Sequence, residues 1–141
     1  MSLSDLEAAG ELEPFAHSPE ELGSLMRVAS RRSTDAELKQ LSSESRVVSA
    51  YQCVLACAKA ALRAQDYRVP RGLKQHYITI QTLRFTLGLD AKQVSYCQGL
   101  RSKRHRDEYE GTLEASDTEA DEAAAFAANL FRDAASKLLA T

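Results

Sequence analysis

Arg101, His105 and Tyr109 recur every four residues, so on a helix they stack along one face with Arg104 beside them. Each of these side chains can address a phosphate or a nucleobase. A guanidinium fork pairs with phosphate bidentately. An imidazole exchanges a proton near neutral pH, and a phenol ring stacks or hydrogen-bonds. Lys103 and Arg106 complete the cluster. The candidate nucleic-acid-binding set is therefore Arg101, Lys103, Arg104, His105, Arg106 and Tyr109. The competing reading is structural. Basic residues near a helix C-terminus complement its dipole, and Arg104–Glu108 and Lys103–Asp107 are opposite charges four apart. On that reading the patch is a solvated face of an adaptor bundle with no nucleic-acid role.

The surrounding composition leaves both readings open. With 18 basic and 20 acidic residues the net charge is -2, which argues neither for nor against a polyanionic partner. The charge is sorted locally, since the basic run to Arg106 is followed by a stretch to Glu122 whose charged residues from Asp107 onward are all acidic. Cys53 and Cys57 lie four apart on an apolar helix and, with Cys97, read as buried core thiols. No further ligands stand at suitable spacing, so neither a metal nor a cofactor is expected. An odd cysteine count, no signal-like leader and no apolar run of membrane-spanning length lead to the expectation of a cytoplasmic protein without a membrane role.

The elements that must carry the cluster are helices. Of the 141 residues 44% are apolar, dominated by Ala and Leu with few β-branched or aromatic side chains. Residues 1–17 read as an N-terminal arm, broken by Gly10 and Pro14, with a turn or two of helix at most. Ser18-Pro19-Glu20-Glu21 is a helix start with a capping box, opening a first helix that ends near Arg32 or continues less regularly to Leu41. A second helix follows Ser42 and carries Val47, Tyr51, Val54, Leu55, Ala58 and Leu62 on a wide apolar face. The third spans roughly Lys74 to Leu87, with Tyr77, Ile80, Leu83 and Leu87 inward, and stops at Gly88. Asp90 and Gln93 open a fourth that bears Val94, Cys97, Leu100 and then the basic cluster, ending at Gly111. Ser116 and Glu119 cap a fifth. No strand pattern interrupts them. The expectation is an all-α, antiparallel up-down bundle over 18–141, four main helices plus a shorter or irregular first one.

In this setting the sequence resembles the HEPN (higher eukaryotes and prokaryotes nucleotide-binding) domain family, in its short single-domain bacterial subgroup. The resemblance covers nearly the whole chain. It rests on Ser-Pro-Glu-Glu at 18–21, Ser-Arg-x-x-x-Ala-Tyr from Ser45 to Tyr51, and His76-Tyr77-Ile78-Thr79. Its strongest mark is Arg101-x-Lys-Arg-His-Arg-x-x-Tyr-x-Gly111. The resemblance implies a helical bundle that forms a homodimer and binds RNA or a nucleotide. It implies one component of a toxin–antitoxin or phage-defence pair, with a nucleotidyltransferase-like or antitoxin protein as partner. His76 and Arg46 enter as second-tier site candidates on the same likeness.

Many members of that family cut RNA without metal, through an Arg followed after four to six residues by His. Here only three residues separate Arg101 from His105, and His105 stands where the subgroup has Asn or another polar residue. Binding is therefore the leading expectation and an endoribonuclease the alternative. As a nuclease the chain would use His105 as general acid or base for attack by the 2′-hydroxyl. Arg101 and Arg104 would neutralise the phosphorane.

Overall fold

The computed structural model describes residues 1–139. Helix α3 (Ser43–Ala64) is the axis of the molecule. Ser42 caps it, its hydroxyl accepting from the Ser45 amide at 3.1 Å. Thirteen of its 22 residues are buried, many of them Ala or Cys, so neighbours approach it closely from several sides. Length and composition alone would let this helix cross a membrane, contrary to the sequence expectation, but its side chains are spent on the interior. Cys53, Cys57 and Cys97 are free, buried thiols. Burial holds the Cys97 thiol up at about 12.

Helix α2 (Pro19–Glu37) is neither short nor irregular. Its inward stripe Leu22, Met26, Ala29, Ser33, Ala36 keeps helical spacing to the end because Ser33 and Ala36 are small enough to pack where larger apolar residues are lacking. Ser18 accepts from the Glu21 amide at 3.2 Å as expected. The Glu21 carboxylate does not close the capping box. It pairs instead with Arg63 at the far end of α3, at 2.7 Å. At the other end Arg46 donates to the Ala36 carbonyl at 2.8 Å. Helices α2 and α3 are therefore antiparallel. Helix α7 (Asp117–Leu138) runs parallel to α3, since Ser43 bonds Asp117, Arg46 bonds Asp121 and Cys53 lies on the Ala127 carbonyl.

The expected third helix is two pieces, α4 (Gln75–Gln81) and α5 (Leu83–Thr86). Thr79, Thr82 and Thr86 each donate a hydroxyl proton to a backbone carbonyl three or four residues earlier, a bonding mode that bends helices. Gly88 takes a left-handed φ of 71°, and the Leu89 amide closes back on the Leu83 carbonyl. Helix α6 (Ala91–His105) starts on the Asp90–Gln93 capping box. It is antiparallel to α7: Tyr96 meets Phe126 with ring centroids 4.8 Å apart, and Lys103 reaches Glu119 at 3.0 Å. The all-α class expected from the sequence is the class observed.

The arm holds more structure than its sequence suggested. After α1 (Leu3–Ala8), residues Glu13–Pro14 form β1, paired antiparallel with β2 (Tyr67–Arg68). Leu6 and Leu12 share a small buried cluster with Leu62 and Val69. His17 bonds Asp66 at 2.8 Å, where the chain turns through a left-handed φ of 62°.

Arg46, carried as a candidate site residue, is a tie between α2, α3 and α7. Its side chain is 5% exposed and its partners are Ala36 and Asp121. Arg46→Met leaves the Ala36 carbonyl unpaired, so chemical denaturation is expected to show a loss of about 1–3 kcal/mol with an unchanged m value.

Candidate nucleic-acid interface

The buried residues Val94, Cys97 and Leu100 fix α6 to the core, and the basic run begins one residue later. The α-helical turn ends at His105. Residues Arg106–Glu110 continue as a π-helical turn, closed by Gly111 with a left-handed φ of 64°. Such wide turns recur at functional sites. Across this turn Tyr109 stays against His105, with ring centroids 4.9 Å apart. The alignment of the trio survives in a form its four-residue spacing did not foretell.

The start of α4 docks on this segment through one amide. Gln98 donates to the Tyr77 carbonyl at 2.9 Å and to Gln81 at 3.0 Å, and accepts from Arg101 Nε at 2.8 Å. The Arg101 guanidinium sits 5.5 Å from the centre of the Tyr77 ring. Between α4 and the end of α6 lies an open cleft of about 410 Å³, lined by His76, Tyr77, Arg101, Arg104, His105 and Tyr109 among others. Tyr77 was expected to face inward. It is exposed instead, because the guanidinium of Arg101 and the cleft take the place of core packing.

The charges in the cleft are unevenly satisfied. The two terminal nitrogens of Arg101 have no protein partner among the described residues. Arg104 pairs with Glu108 at 2.9 Å, while its Nε is buried without a partner. Behind Arg104 lies Tyr51 on α3, 6.0 Å from ring centre to guanidinium. Tyr51 is fully buried and its hydroxyl also lacks a partner. Burial holds its pKa up at about 12 against the pull of Arg104 and Arg101, so it is a neutral donor. Sequence reasoning placed Tyr51 in the core and missed its hydroxyl. The available signal was a phenol on a face otherwise built of Ala, Val, Leu and Cys, since a buried hydroxyl is costly without a partner.

His76 is half-buried. Desolvation first, then the nearby cations Lys59, Arg104 and Arg101, hold its pKa below the usual 6.5. It is a neutral imidazole at neutral pH, able to accept a proton. His105 is exposed, with Glu110 at 3.8 Å. Besides Arg46, two of the sequence candidates are not at the cleft. Lys103 is held by Glu119 of α7 at 3.0 Å, and Arg106 projects from the π turn outside the lining. The cleft thus gathers two guanidinium groups, two imidazoles and two phenol rings.

Two outcomes follow in the unliganded protein. Tyr51→Phe removes an unpaired buried hydroxyl and is expected to stabilise the fold by about 1 kcal/mol in urea titrations. The depressed pKa of His76 means that the unfolded chain binds the proton more readily. Its contribution to stability is fully present above about 6.5 and is lost as the pH falls through its lower folded value. A stability–pH series should show that slope, and His76→Gln should flatten it.

No protein-family model matches this chain. Nor does any curated protein match it in sequence.

Proposed function

We propose that the chain is a HEPN-like module that binds single-stranded RNA or a nucleotide in the cleft between α4 and α6. The observation that carries this reading is the convergence of Arg101, Arg104, His76, His105, Tyr77 and Tyr109 on one open cleft. The free nitrogens of Arg101 suit a phosphate oxygen pair. Tyr109, 67% exposed, and Tyr77 offer ring faces to unstacked bases, worth about 1–3 kcal/mol per base. The family likeness adds the biological setting: a cytoplasmic homodimer, one half of a toxin–antitoxin or phage-defence pair, with a nucleotidyltransferase-like or antitoxin partner.

One observation favours the ribonuclease as a second reading. His76 and His105 line the same cleft. His76, held neutral, is suited to take the proton of a 2′-hydroxyl, and His105 to return one to the leaving oxygen.

Filter binding with a short single-stranded RNA tests the first reading. Arg101→Ala and Tyr109→Ala are each expected to weaken binding about tenfold or more, and Lys103→Ala to leave it nearly unchanged. With two phosphates neutralised, the slope of log K against log salt should be about -1.4. Equal binding by wild type and Arg101→Ala contradicts the reading. Incubating RNA in EDTA with wild type, His76→Ala and His105→Ala tests the second, which fails if wild type leaves RNA intact.

A further inference from the structure

A second cleft, of about 470 Å³, opens beside the first, and Gln75 lines both. Four cations border it: Lys59, Arg63, Arg68 and Arg71. Two are already neutralised. Glu21 holds Arg63 at 2.7 Å and Glu13 holds Arg68 at 2.5 Å. Both guanidinium groups also flank the Phe15 ring, at 3.9 and 4.1 Å from its centre, which fixes them as walls. Lys59 and Arg71 have no ion-pair partner among the described residues, so the cleft carries two uncompensated positive charges. Arg63 keeps a buried Nε with no acceptor. Leu25, Leu62, Val69 and Pro70 supply an apolar side.

Polar groups in such a position cost free energy until an acceptor satisfies them. Lys59 shows this cost, since burial, helped by Arg104, lowers its pKa from the usual value. Two unpaired cations on one cleft match a doubly charged acceptor. A phosphodiester or a carboxylate supplies one charge, and a phosphate monoester supplies about 1.5 to 2 near neutral pH.

We propose that the Lys59–Arg71 cleft is a binding site for a phosphate monoester, with the terminal phosphate of an RNA whose chain lies in the adjoining cleft as its main source. Lys59 and Arg71 neutralise the dianion, and the apolar side takes the attached sugar or base. The choice of RNA as carrier rests on the function proposed above. The phosphate chemistry rests only on the residues of this cleft.

Calorimetric titrations separate the two. The probes are one short single-stranded RNA with a 5′-phosphate, a 3′-phosphate or hydroxyl ends, and adenosine 5′-monophosphate alone. One phosphorylated form is expected to bind about tenfold tighter than the hydroxyl-ended RNA. Lys59→Met and Arg71→Ala should each erase that ratio, whereas Arg101→Ala should weaken all three RNAs and preserve it. Arg71 is exposed, so its variant guards against misfolding of the Lys59 change. Binding of the mononucleotide that needs Lys59, with no RNA bound, upholds the cleft and overturns the RNA reading. RNA binding that ignores its end groups, with no mononucleotide binding, overturns the cleft and upholds that reading. A phosphate advantage untouched by both cleft variants also overturns it.

Discussion

Burial of α3 is the constraint on which the rest of the molecule depends. A helix with thirteen buried residues, most of them small, offers shape and little polarity, so its neighbours must close around it from several directions. Helices α2 and α7 do so over its length, and α6 reaches it with Val94, Cys97 and Leu100. Polar ties hold the two ends of the α2–α3 pair. Arg46 closes one end through the Ala36 carbonyl and Arg63 the other through the Glu21 carboxylate. The arm then covers what remains around Leu62.

The candidate interface is where this accounting is left incomplete. Tyr51 presents a buried hydroxyl, and Arg104 a buried Nε, with nothing to bond, and the two lie behind the same cleft. Buried polar atoms are otherwise satisfied almost throughout, so their clustering is informative. Arg63 Nε, the one further orphan side-chain atom among the described residues, borders the adjoining cleft. The orphan donors of Tyr51 and Arg104 sit behind one cleft and that of Arg63 beside the other.

Periodicity and caps make the helical architecture legible in the sequence. Ser18, Ser42, Asp90 and Ser116 each start the helix they were expected to start. The length of α2 was harder to read because its inward stripe ends in Ser33 and Ala36, which carry little hydrophobic signal. The break at Thr82 depends on hydroxyl-to-carbonyl bonds that compete locally with the helix. The pairing of β1 with β2 involves two residues on each strand, too few to show alternation. At the site, the alignment of Arg101, His105 and Tyr109 was visible in the spacing. The arrival of His76 and Tyr77 across from them was not, because it depends on Gln98 docking α4. Lys103 shows the converse: its charge counted toward the cluster in sequence, and Glu119 claims it in space.

The proposed seat of a single-stranded RNA is the α4–α6 cleft. Backbone amide spectra of the labelled protein, recorded while a short RNA is titrated in, test it directly. Binding there is expected to give progressive shifts confined to the segments around Gly72–Tyr77 and Arg101–Gly111, with the adjoining cleft following only through Gln75 and its neighbours. Shifts centred on another face, or none at saturating RNA, would contradict it.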